Sequence, residues 1–323
     1  MTNGKSMTFD KISVENMLLG ECNLQITNGY TLWHEEDRTT QLSKYIIKVV
    51  NNANGSEIGG CAILRLIVVT GNLSNEVMKW SAELGETWRG SSDGAVGQTL
   101  IWGDGKPEST YAVIILTQDI ALGLISENKE SEAFALGILI HELAHVHDDF
   151  ICLNIFGHAP TPQQGNWASH RQFLAKSLWG EYFAETHTYP YVKDSELSEN
   201  TSYSITALKY AIDEINKEMT SFQLHRTAGK VWAVAENQLS IVFNHLGRTL
   251  AILLSDERVR NNKALTEKFI AELNLISSDW AQISYNLMDI FKTSEMLPSP
   301  DILEEIGEIV DKGFRAIGLE PYN

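Results

Sequence analysis

Residues 131–150 read SEAFALGILIHELAHVHDDF. Most of the stretch is apolar, and a short polar cluster sits inside it: His141, Glu142, His145, His147, Asp148 and Asp149. The pattern predicts a helix, with Ser131 as its N-cap. Each helical residue advances about 100°, so positions four apart differ by about 40°. His141 and His145 therefore project from one face, one turn apart, where two imidazole nitrogens can share a metal ion. Glu142 lies on the flank of that face. It can reach a water at the metal but is badly placed to ligate. The runs FALGILI and LAHV make this helix apolar on most sides, so it belongs in a core. Buried histidines and a buried glutamate need partners, and a zinc ion supplies one.

A catalytic zinc takes three protein ligands and leaves a further position to water. His147 points about 200° away from His145 and is expected to be a surface or internally bonded histidine. Asp148, seven residues past His141, shares the ligand face. It is expected to act behind the ligands or toward substrate, or else to be a solvated helix end. A second helix is predicted over 170–189, HRQFLAKSLWGEYFAETHTY, ending before Pro190. Glu181 and Glu185 are four apart on it and share a face. One carboxylate can bind zinc while the other holds a histidine ligand, and the spacing alone does not choose between them.

Among zinc-peptidase patterns, the metzincin one needs Gly and His where this chain has Asp148 and Ile151, so it does not apply. HELAH followed by EYFAE resembles the gluzincin zinc metallopeptidases, over roughly residues 95–190. The resemblance implies that Glu181 is the third ligand and that Glu185, where an aspartate is commoner, orients a ligand histidine, His141. It implies one zinc per chain, with Glu142 as general base for peptide-bond hydrolysis. It also implies a sheet edge near TYAVIIL, ahead of the motif helix, that aligns the substrate backbone. Gluzincins bring a Tyr or His to the developing oxyanion, and Tyr182, His187, Tyr189 and His225 are the candidates here. Two other readings compete. One is a non-catalytic or regulatory protein with a closed structural zinc site, its fourth ligand being Glu185, Asp148 or His187. The other is zinc hydrolysis of a non-peptide bond.

The chain has 323 residues, 43% hydrophobic and 21% charged, which suits a globular protein with a sizeable core. Acidic residues outnumber basic ones 42 to 25, for a net charge of -17. That balance argues against nucleic acid and anionic membranes as partners; a peptide or protein substrate is what the gluzincin resemblance implies. Cys22, Cys61 and Cys152 are odd in number and without a CxxC, which suggests free thiols in a reducing compartment. The opening MTNGKSMTFDKIS lacks the apolar core of a secretory signal, and the longest apolar stretch, WAVAENQLSIVFNHLGRTLAILL, is broken by Glu236, Asn237, His245 and Arg248. A cytoplasmic location is expected.

The expected fold is α+β: a small mixed sheet packed on the motif helix, then a mostly helical C-terminal half. Two domains are expected, a metallopeptidase-like one over 1–195 (motif helices 131–150 and 170–189) and a helical one over 196–323. NLQITNGYTLW reads as a hairpin turning at Asn28–Gly29. CAILRLIVV, QTLIW and TYAVIIL read as strands, and DRTTQLSKYIIKVVNNANG and LSNEVMKWSAEL as helices. VKDSELSENTS reads as a polar linker, followed by amphipathic helices broken near TAGK, SDERVRNN and LPSPD, whose Met and Trp residues form core. Cys152 is expected to be a packed thiol.

Overall fold

The computed structural model describes residues 7–8, 23–27, 36–54, 63–83, 95–102, 110–156, 165–191, 194–255, 263–294 and 298–321, with isolated positions between them. The architecture is α+β with a mostly helical C-terminal half. Two compact units divide the chain, residues 1–159 and 160–323. The division falls ahead of the second motif helix, whereas the sequence suggested 195/196. The reason is that the second motif helix buries its apolar sides among the helices that follow it in the chain.

The first unit holds a five-stranded sheet in the order β1-β2-β3-β5-β4, made of Met7–Thr8 (β1), Asn23–Thr27 (β2), Leu64–Thr70 (β3), Gly97–Trp102 (β4) and Tyr111–Thr117 (β5). β2, β3 and β5 run parallel, while β1 and β4 are antiparallel to their neighbours. The turn and second arm of the hairpin expected at Asn28–Gly29 lie outside the described residues. β3 and β5 are nearly continuous runs of buried aliphatics, as strands covered on both faces must be. Val68, Val113 and Ile115 pack with Leu73 and Val77 of helix α2 (Leu73–Glu83), and Leu100 of β4 joins that cluster. TYAVIIL forms β5, paired on both sides, and the sheet edge near it is β4, the outer strand on that side among the described residues. Hydropathy separates strands from loops but carries no information on strand order.

Helices α1 (Glu36–Asn54), α3 (Gln118–Leu124) and α4 (Lys129–Phe156) complete the described part of this unit. Tyr45 of α1 donates a hydrogen bond to Glu132 of α4 at 3.1 Å. α4 begins earlier than expected. Its cap is Asn128, whose Oδ1 accepts from the backbone N–H groups of Glu130 and Ser131 at 2.9 and 3.3 Å. Ser131 is an exposed member of the first turn. The polar residues Lys129 and Glu130 hide this start, because the apolar periodicity begins only after them.

The second unit is helical: α5 (Trp167–Thr188), α6 (Asp194–His225), α7 (Ala228–Ser255), α8 (Ala264–Ile276), α9 (Ser278–Thr293) and α10 (Pro300–Ala316). α5 is the buried member, with Trp167, Leu178, Trp179, Tyr182 and Phe183 all inside. It packs along α7 and α10, and α6 packs along α7. Trp167 Nε1 donates to Asp311 of α10 at 2.8 Å, and Arg171 bridges Asp311 and Glu304. The supposed linker 192–202 is mostly helix, because Leu197 and Thr201 begin a buried stripe that continues through Ile205 and Leu208. Two aliphatic side chains in eleven residues, Val192 and Leu197, are too few to announce that stripe. Arg226, at φ 56°, turns the chain between α6 and α7. Ser277 caps α9 by accepting from Asp279 N, a break between α8 and α9 that the sequence reading missed. Among the described residues no helix is long and apolar enough to cross a membrane.

The N-cap assignment is testable by chemical denaturation. Asn128→Ala should cost about 1 kcal/mol of stability, as cap removal does, whereas Ser131→Ala should stay within about 0.5 kcal/mol of wild type. A larger loss at Ser131 would restore the sequence-based start.

Candidate metal centre

α4 carries His141, Glu142, His145 and Asp148 well inside its ends. The His141 and His145 Nε2 atoms lie 3.1 Å apart, with ring centroids at 4.7 Å and planes at 83°. Zn–N bonds of about 2.0–2.1 Å at a tetrahedral angle put two imidazole nitrogens about 3.3 Å apart. The pair therefore already has the separation of two ligands on one zinc. His141 is buried and His145 half-buried.

Glu142 is buried beside the pair. Thr99 of β4 places its hydroxyl 2.7 Å from Glu142 Oε2 and 3.1 Å from the Glu142 carbonyl oxygen. Gly97, two residues earlier on the same face of the strand, gives the carboxylate its room. A Cβ there would stand 3.0 Å from Glu142 Oε1 and 3.1 Å from Ile138 Cγ2. The outer strand thus holds the carboxylate through one hydroxyl and clears space for it through one missing side chain. Neither Gly97 nor Thr99 was singled out from the sequence, where a Gly and a Thr in a short strand carry no mark.

Asp148 is fully buried, not a solvated helix end, since α4 continues to Phe156. The Cys152 thiol, one turn on, lies 3.9 Å from Asp148 Oδ1. Cys152 is buried; Cys22 and Cys61 lie outside the described residues. His147 is half-buried.

In the second unit, Glu181 and Glu185 stand one turn apart on α5, and Glu185 is buried. Glu181 accepts a hydrogen bond from Arg248 Nε of α7 at 2.6 Å. Its side chain is 12% exposed and that of Arg248 46%. The helices can bring these side chains together because Gly247 lies against α5. A Cβ at 247 would fall 2.6 Å from the Leu178 carbonyl oxygen and 3.2 Å from Tyr182 N. His245, one turn from Arg248, is a further imidazole in this neighbourhood. Burial, aided by the Arg248 charge and opposed by Glu181, lowers its pKa, so it is neutral at pH 7. Its ring stacks on Tyr203 at a 6.4 Å centroid distance. In the sequence His245 and Arg248 only interrupt an apolar stretch, and Gly247, between Leu246 and Arg248, carries no mark.

The four oxyanion candidates have these surroundings. Tyr182 stacks on Phe291 with centroids 3.8 Å apart. Burial pushes its pKa up to about 12, against a hydrogen bond with Ser255. His187 lies within the last turn of α5, where Nδ1 sits 2.9 Å from the Phe183 carbonyl oxygen and therefore carries its proton. Tyr189 opens a 3-10 turn, Tyr189–Tyr191, and its N–H closes onto Glu185 O. His225 ends α6: Nδ1 accepts from Thr227 N at 2.9 Å, so Nε2 carries the proton and meets Glu218 Oε1 at 2.9 Å.

No family model matches the chain, and comparison with curated proteins and with solved structures finds no match.

The close approach at Gly247 can be checked directly. Gly247→Ala adds a methyl against backbone atoms, which cannot rotate away, and should cost about 1–3 kcal/mol as overpacking does. Thermal unfolding that matches wild type would contradict the approach.

Proposed function

We propose that the chain is a zinc-dependent peptidase whose metal is held by His141, His145 and Glu181, with Glu142 as its general base. The observation that carries this reading is the pair of Nε2 atoms at 3.1 Å beside the Glu142 carboxylate. Two imidazoles and a carboxylate are the donor set of a hydrolytic zinc.

When bound, zinc supplies Lewis acidity: it polarises a carbonyl and makes water acidic enough to attack near neutral pH. Glu142 takes the proton of the attacking water and delivers it to the leaving amine. A general base must stay pointed at its proton, and the Thr99 hydroxyl supports this by fixing one carboxylate oxygen. The role left to Glu185 in this reading is to orient a ligand histidine. β4 supports a peptide rather than a non-peptide substrate. As the outer strand among the described residues, it can add an extended backbone as a further strand. Gly97 and Thr99 place that strand directly beside the base. The chain's acidic balance and the absence of a membrane-length apolar helix among the described residues are compatible with a cytoplasmic protein substrate.

Glu142→Gln preserves shape and hydrogen bonding but cannot accept the proton. It should retain one zinc per chain and a wild-type melting temperature, while cleavage of a peptide library falls on the order of 100- to 10,000-fold. Equal cleavage by Glu142→Gln and wild type refutes the mechanism.

A further inference from the structure

Arg248 and Glu181 are 67 residues apart in sequence and meet through a short hydrogen bond, Nε to Oε2 at 2.6 Å. An ion pair whose arginine is 46% exposed contributes little to stability, so stability is a weak reason for this contact. Its geometry is more specific. The backbone of α7 touches α5 at Gly247, one residue before Arg248. The bond uses Nε, the guanidinium nitrogen nearest the side-chain stem, which leaves fewer free torsions between backbone and donor. An arginine cannot be deprotonated in a protein, so the donor persists at every working pH. One N–H occupies one of about four lone-pair positions of a carboxylate, which is compatible with a metal on the same group. Carboxylates that ligate metals are themselves oriented by hydrogen bonds.

We propose that Arg248 is a positioning residue: by donating Nε–H to Glu181 Oε2 it holds the carboxylate in its zinc-binding orientation and so sets the metal affinity of the site. This rests on the assignment of Glu181 as a zinc ligand. The opposite role, a guanidinium that competes with zinc for the carboxylate, predicts the opposite sign.

The experiment measures zinc dissociation constants of the full chain by competition with a chromophoric chelator. Melting in EDTA serves as the control for fold. Arg248→Ala should weaken zinc binding about 10- to 100-fold. Arg248→Lys, which restores a charged donor, should recover most of the loss. In a Glu181→Ala background, Arg248→Ala should cost nothing further. Arg248→Met, which keeps an unbranched stem and removes the donor, gives the same reading if alanine compromises the fold. Unchanged or tighter zinc binding in Arg248→Ala, with Glu181→Ala losing zinc, overturns the positioning role and leaves the ligand set standing. An undiminished loss in the Glu181→Ala background also overturns it. Wild-type affinity in both single variants overturns the ligand assignment as well.

Discussion

Two imidazole nitrogens 3.1 Å apart on a largely buried helix are the constraint on which the rest of the account turns. That separation is close to the roughly 3.3 Å between two imidazole nitrogens on one zinc. Under the proposed reading, a divalent metal would accept both lone pairs. The surrounding fold fits this need. Asn128 starts α4 early, so the pair lies deep within the helix, and the buried strand β5 supports β4 on its inner side. β4 then contributes the Thr99 hydroxyl and the open space at Gly97 to the neighbouring carboxylate.

The second unit solves a related problem on α5. That helix is buried along most of its length, so a carboxylate on it must be oriented by something other than water. At Glu181 the partner is Arg248, and Gly247 is what lets α7 come close enough to supply it. His245 shares the neighbourhood and is held neutral by burial and by the same arginine. Ser204 of α6 donates to the His245 carbonyl oxygen at 2.8 Å and meets Thr249 Oγ1 at 2.6 Å, which ties α6 to the same stretch of α7.

The elements were legible wherever one local signal dominated. α4 and α5 were visible because apolar residues and chemically demanding ones share them, and β3 and β5 because buried strands are almost wholly aliphatic. What depends on distant partners was not visible. Strand order decides that β4, not TYAVIIL, is the outer strand, and no residue in either strand encodes it. The start of α6 was hidden because its polar residues outnumber Leu197 and Thr201, whose burial is a property of the assembled unit. His141, Glu142 and His145 announced themselves through spacing within one helix. Thr99, Gly97, Arg248 and Gly247 did not, since each acquires its role only from a residue far along the chain.

The most direct test of the central claim is the zinc K-edge X-ray absorption spectrum of the full chain loaded with one equivalent of zinc. The account predicts a first shell of nitrogen and oxygen at about 2.0–2.1 Å, with outer-shell scattering from two imidazole rings. In His141→Ala and in His145→Ala that imidazole signal should fall to one ring or be lost with the metal. A first shell containing sulfur, or one without imidazole scattering, would contradict it.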